Sequence, residues 1–396
     1  MSPRVLCPST FALAAVLAGS VTAQDAIGVI ADRGSPARRP YVHVFDPASM
    51  QVTASVPLPL PDFAPIFDVE IAPDLSEGYV ADFVNAAVWV VDLHANPPAL
   101  AAGVNPIDVV RGTSGVGGAL SASASDLALT PDGDFLLVAG GNALGDGGSA
   151  LGVVDLRTRE VVDSFDFSPN SPTAVEVGPD GSVFVVELIE SQPSFANTNV
   201  RRLRIDAAGR LRDIGEVAGL ATLPGVQDVI VPSYDFLPPF LEALTARHVV
   251  HVSRPAGGAL GSLRARGLSA VDVVALADPS GIALNFDPFR SIVYARTNEL
   301  PTFGGAGVGN ARIDGYRFSP LTGRIGQHVV SIPLDRMAGT AFGVEQTAVD
   351  PVLRRIYVSG LAGGEVRVFD AVTGSQVGTS SDPDFLFGLG IEIRRR

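Results

Sequence analysis

Seven polar residues stand near the ends of short apolar runs. Asp68, Asp126 and Asp228 sit at or near the start of such runs, in FDVEI, SDLAL and QDVIV. Carboxylates carried in from separate strands can hold a hard cation such as calcium through oxygen ligands. Held apart, they cap strand ends and hydrogen-bond neighbouring loops; this second reading is preferred, and no metal is assigned. Glu187, Arg296, Asn298 and Glu299 close other runs. On a common rim with the aspartates they form a candidate seat for a polar ligand, with no catalytic residue and no cofactor specified.

Other chemistry is sparse. The five histidines make no metal signature. His248 and His251 are three apart on an expected strand, so they face opposite sides. His43, His94 and His328 are isolated in sequence. There is no HExxH and no GxSxG. The run GGNALGDGG (140–148) lacks the repeated nonapeptide of calcium loops and reads as a hairpin loop. FGGAGVGN (303–310) has no phosphate-loop lysine and no helix after it, so no nucleotide cradle is expected.

Residues 1–23 read as a secretory leader: Arg4, an apolar run over 11–21, then Val21-Thr22-Ala23 before Gln24. Cleavage near Ala23 places the mature protein, 24–396, in a secreted or periplasmic location. Cys7 is the only cysteine and precedes the apolar run, so neither a lipidated anchor nor a disulfide is expected. No later stretch is apolar enough to span a bilayer. All 28 basic residues are arginine, and the net charge of −14 becomes −15 once Arg4 leaves with the leader. That sign argues against nucleic acid and anionic membranes as partners. A monomer binding a protein, peptide or saccharide is expected.

What must position these residues is a repeat. Residues 342–379, FGVEQTAVDPVLRRIYVSGLAGGEVRVFDAVTGSQVGT, read as four strands joined by an Asp-Pro turn, a glycine loop and a DAVTG turn. The same unit recurs in FDVEIAPDLSEGYVADFVNAAVWVVDL, in SDLALTPDGDFLLVAGG with ALGVVDLRTREVVDSFDF, and in TAVEVGPDGSVFVVEL with NVRRLRIDAAGRLRDIGEV. SGIALNFDPFRSIVYART with ARIDGYRFSPLTGRIGQHVV adds another. The unit at GVQDVIVPS and RHVVHVS is the poorest match, with a short helix expected within 236–245. Seven four-stranded antiparallel blades of about 50 residues make one all-β propeller. The opening stretch IGVIAD with YVHVFDPASMQV lacks an innermost strand, and FGLGIEI (387–393) has no blade of its own. Pairing the two closes the ring and removes its open edges. Trp89, on a third strand, is expected to pack between blades.

The pieces APDLSEGYVADF, TPDGDFLLVAGG, GPDGSVFVVEL and DPVLRRIYVSG precede strands such as VWVVD, LGVVD and VRVFD. This pattern resembles the YVTN family of β-propeller repeats, within the wider lactonase-like and quinoprotein-like group, over nearly all of the mature chain. The resemblance implies a fold more sharply than a function. Long connections at 32–40, 57–66, 95–125, 140–149, 189–199, 232–245, 297–310 and 334–342 are expected on one loop-rich face, where binding residues tend to lie. The leading expectation is a binding scaffold acting through that face. The resemblance also implies a divalent-cation-dependent lactonase-like hydrolase at the channel mouth. A third implied role, a quinoprotein-type dehydrogenase subunit, lacks cysteines for cofactor crosslinks or haem attachment.

Overall fold

A computed structural model of the chain describes residues 26–35, 37–62, 64–83, 85–109, 124–140, 149–189, 198–218, 225–234, 237–253, 258–276, 281–297, 311–334, 347–359, 365–380 and 388–395. They form seven antiparallel sheets, one per blade. Residues 1–25, within which a leader is expected, lie outside the described residues, as do Asn298, Glu299 and the glycine runs 141–148 and 303–310. No helix among the described residues is long and apolar enough to cross a membrane.

Each blade runs outward from an inner strand. The inner strands are Ile66–Ile71, Asp126–Leu129, Ser171–Val177, Val226–Ile230, Gly281–Asp287 and Thr347–Asp350 for blades two to seven, with Gly388–Arg395 for blade one. Each neighbours the next around a central bore. Blade one closes as expected: Gly388–Arg395 pairs with Ala26–Asp32, followed outward by Tyr41–Asp46 and Gln51–Pro57. The outer edge of blade two differs from a single strand. It is two short pieces, Ala99–Leu100 and Ile107–Asp108, both pairing with Ala87–Asp92.

A lone blade would leave two apolar faces in water. Seven apolar clusters remove them, one at each seam between adjacent blades. Trp89 packs at the seam of blades one and two, 6% exposed, and its indole N–H reaches Asp82 at 3.2 Å. Aspartates make the tight turns. Asp350 Oδ1 accepts the N–H groups of Val352 and Leu353, and Asp370 Oδ1 those of Val372 and Thr373.

The closing seams carry additional polar contacts. Arg395 meets Asp350, which is 0% exposed, through two hydrogen bonds of 2.9 and 2.6 Å. Arg355 and Tyr357 donate from blade seven to the Pro47 carbonyl of blade one at 2.9 and 2.7 Å. On the other side, Arg394 donates to the Ile71 carbonyl of blade two at 2.9 Å. Gly390 lies so close to blade two that a Cβ there would sit 2.6 Å from the Phe67 carbonyl oxygen.

One expectation about the faces is corrected. First-to-second and third-to-fourth connections leave one face of the disc; the rest leave the other. Residues 93–98 join the third and fourth strands of blade two and lie on the tight-turn face; so does segment 232–245, which joins the first and second strands of blade five. It holds the helix Pro239–Thr245, a short helix as expected.

Removing the Arg395 guanidinium leaves a buried carboxylate without its ionic partner, a defect that costs about 3 kcal/mol in comparable pairs. Arg395→Ala is therefore expected to lower the unfolding midpoint clearly. Tyr357→Phe, which loses one hydrogen bond to the Pro47 carbonyl, should cost about 1 kcal/mol. Chemical denaturation of the two variants checks the order; equal losses would contradict the role given to the Asp350–Arg395 pair.

Candidate functional site

The inner strands carry carboxylates in two tiers. Residues two apart on a strand share a face and lie about 6–7 Å apart along it. Asp68 and Glu70 occupy both tiers in blade two. Asp126 and Asp228 supply the tier nearer the loop-rich face in blades three and five. Glu176 and Glu392 supply the tier nearer the tight-turn face in blades four and one.

Four of these carboxylates stitch consecutive seams. Asp68 Oδ2 accepts the Leu127 N–H at 2.8 Å, and Asp126 Oδ2 the Val175 N–H at 2.6 Å. Glu176 Oε1 accepts the Val231 N–H at 3.2 Å, and Asp228 Oδ2 the Leu284 N–H at 2.7 Å. Each bond joins one blade to the inner strand of the next, from blade two to blade six. The expected partners were neighbouring loops; the observed ones are backbone donors of the adjoining inner strand.

The bore is short of positive charge. Burial pushes the carboxyls of Asp68, Asp228 and Glu392 up to about 7 and that of Glu176 up to about 8, against the pull of their N–H donors or of Arg394. Glu70 is raised well above the usual range by burial, then by the charges of Glu392 and Asp68. Asp126 is raised likewise by burial and by Asp68. Arg394 opposes this at both Glu70 and Glu392.

At the tight-turn mouth of the bore lies a cavity of about 290 Å³. Its polar lining includes Glu70, Glu176, Arg394, Thr130, Ser233 and Glu242. Glu242 comes from the helix Pro239–Thr245, and the Ser233 hydroxyl donates to its carboxylate at 3.1 Å. Segment 232–245 thus walls the cavity because it leaves the sheet on this face.

Of the residues expected at the channel, Asp68, Asp126 and Asp228 lie on inner strands, Glu187 and Arg296 lie elsewhere, and Asn298 and Glu299 are outside the described residues. Glu187 is 2% exposed and faces its own blade, accepting from Asn170 at 2.6 Å and Arg201 at 3.3 Å. Arg296 is 1% exposed, one strand out from the bore, and burial pushes its guanidinium down to about 9. Both sit on second strands. Glu70, Glu176, Glu392 and Arg394 are the residues that strand-end reasoning misses; the signal for Glu70 was its i+2 spacing from Asp68. His248 and His251 do face opposite ways: His248 Nδ1 meets the Pro320 carbonyl of blade six at 2.7 Å, while His251 packs over Gly261. Among the described residues no three His, Cys, Asp or Glu side chains are grouped to hold a metal ion.

No family model matches the chain, and no curated protein matches it. Solved structures do. A functionally unknown protein from Desulfotomaculum acetoxidans superposes with a TM-score of 0.69 at 17% identity, over 93% of this chain and 99% of that one. The periplasmic gluconolactonase of Pseudomonas aeruginosa gives 0.65 at 15% identity, over 93% and 99%. A Bacteroides uniformis protein described as a candidate 6-phosphogluconolactonase gives 0.65 at 13% identity, over 93% and 98%. At these identities the likeness is one of fold, and propellers of one fold serve unrelated functions.

The raised carboxyls make stability depend on pH in a stated direction. Unfolded, these groups titrate near 4; folded, Asp68, Asp228, Glu392 and Glu176 hold their protons to about 7 or 8. Their contribution to stability is full below the unfolded value and is lost as pH rises through the folded one. His251 works oppositely: burial lowers it to about 4, so its contribution is present above 6.5 and lost as pH falls toward 4. From about pH 4.5 to 8 the four carboxyls together outweigh the single imidazole. The melting temperature is expected to fall across that window, and Glu176→Gln to flatten the fall. A flat profile in the unaltered protein would contradict the burial of this cluster.

Proposed function

We propose that the protein is an exported binding propeller whose ligand enters the bore at the tight-turn mouth. The observation that carries this reading is the cavity of about 290 Å³, with three glutamates and one arginine facing it. Its size sits at the lower end of ligand sites and suits a single end group. Acceptors outnumber cations, so the group that fits best carries an ammonium beside hydroxyls, as an amino sugar or a peptide amino terminus does. Arg394 is placed to take a hydroxyl or carbonyl oxygen of the same ligand. The leader-like residues 1–23 support export.

The helix Pro239–Thr245 favours this mouth over the loop-rich face. It brings Glu242 over the cavity on a segment braced within itself by the Ser233–Glu242 bond and by the bond from the Tyr234 N–H to Thr245 Oγ1 at 3.2 Å. A site on ordered elements loses less freedom on binding than one on long loops.

A second reading uses the same cavity. Glu176, protonated near neutral pH, could donate to the departing ring oxygen of a sugar lactone while Arg394 held the carbonyl oxygen. The presence of an acid and a cation on one cavity favours it, and no metal enters this step.

Titration calorimetry with glucosamine, the dipeptide Gly-Gly, sorbitol and gluconate separates the readings. Glucosamine or Gly-Gly is expected to bind at pH 8, where more of the carboxylates are ionised, and sorbitol and gluconate far more weakly. Glu70→Gln and Glu176→Gln should each weaken that binding about tenfold, the value of one charge-assisted hydrogen bond. Turnover of gluconolactone that is lost in Glu176→Gln would move the assignment to the hydrolase. Binding of neither amine would sink the proposed ligand class.

A further inference from the structure

Blade one brings together a serine, a histidine and an aspartate that are well separated in sequence. The register opposes Ile30 to His43 and His43 to Ser55, and Asp32 lies two residues beyond Ile30 on the same face. His43 Nδ1 and Ser55 Oγ are 2.9 Å apart. His43 Nε2 stands 3.5 Å from Asp32 Oδ2. Asp32 is itself fixed, its Oδ1 accepting the Gly34 N–H at 2.7 Å. His43 is 0% exposed and Asp32 1%, while Ser55 is half-buried on the outermost strand. Base and orienter are thus shielded, and the serine is the least buried of the three.

We propose that Ser55 is a nucleophile served by His43 and positioned by Asp32, forming an acyl-transfer site for small activated esters apart from the bore. With Nδ1 accepting the Ser55 proton, the ring N–H is on Nε2, facing Asp32. The strand ladder explains the closeness. The Leu58 N–H bonds the Pro40 carbonyl at 3.0 Å, and this alternation makes His43 and Ser55 a pair without mutual backbone bonds, whose side chains approach most closely. The same alternation turns the Ser55 N–H outward, away from the neighbouring strand. It is thereby free to donate to the oxygen that becomes negative during attack. Tyr41 stacks on His43, centroids 5.9 Å apart and 9° from parallel, with the Arg38 guanidinium 4.2 Å above the tyrosine ring. That stack holds the imidazole plane and forms one wall beside the serine.

The chemistry balances with water alone. Ser55 Oγ bonds to the ester carbonyl carbon as its proton passes to His43 Nδ1. The carbon–alkoxide bond then breaks, and the alkoxide leaves with that proton. Water, deprotonated by His43, attacks the acyl-serine; the carboxylic acid departs and the proton returns to Ser55. Asp32 touches no reacting atom and acts by holding the ring.

The test is covalent labelling of the full chain with a small alkyl fluorophosphonate, in which Oγ–P forms, P–F breaks and fluoride leaves. One adduct per chain, mapped to Ser55, is expected. Its rate should rise with pH, as transfer of the serine proton to a general base requires. His43→Gln should slow labelling by about 100-fold and remove the pH dependence, the usual size of a general-base contribution. Asp32→Asn should slow it less and shift the pH profile. Turnover of p-nitrophenyl acetate should follow the adduct and disappear in Ser55→Ala. If His43→Gln fails to fold, the pH profile of the unaltered protein and the Ser55→Ala result still decide. No adduct at Ser55, or a rate indifferent to pH, overturns the proposal and leaves the three residues as a polar brace within blade one.

Discussion

The structure depends on burying both faces of every blade. A four-stranded sheet of Val, Ile, Leu and Ala buries little by itself, and the seven apolar clusters each need side chains from two blades. An open row of blades would leave two terminal faces in water. A ring leaves none, and that requirement explains why the first and last strands of the fold share a sheet. It also explains where polar contacts are concentrated. Seams two to six are stitched at the bore by Asp68, Asp126, Glu176 and Asp228. The seams around blade one rely on Arg394, Arg395, Arg355 and Tyr357 instead.

Closure also creates the electrostatics of the bore. Inner strands converge on one axis, so a carboxylate that stitches its own seam meets the carboxylates of other blades. Glu70 and Glu392 interact across blades two and one, and Asp126 feels both Asp68 and Asp228. Their raised protonation follows first from burial inside the closed ring and then from these neighbouring charges. Arg394 is the cation that moderates it at the mouth.

The architecture was legible because it is written locally. Asp-Pro and Pro-Asp-Gly turns, period-two alternation and the orphan strand FGLGIEI name the blades and their closure without reference to distant residues. The site was less legible because it is assembled across blades. Asp68, Asp126 and Asp228 were visible as strand-start acids, but nothing local marks Glu176 and Glu392 as their companions. Connection 232–245 was assigned to the wrong face because its length was weighed and its position after a first strand was not. Asp32, His43 and Ser55 show the same limit: steps of 11 and 12 residues become neighbours only through strand register.

The pairing of Ala26–Asp32 with Gly388–Arg395 makes completeness a condition for a finished surface. During synthesis the earliest strand waits for the latest, and every partial chain is an arc with an apolar face at each end. An arc of this kind is conspicuous to chaperones and proteases, whereas the closed disc presents them no edge at its join. The join therefore works as a check on the product: a chain that lost its last strand would carry a visible mark of the loss on blades two and seven together.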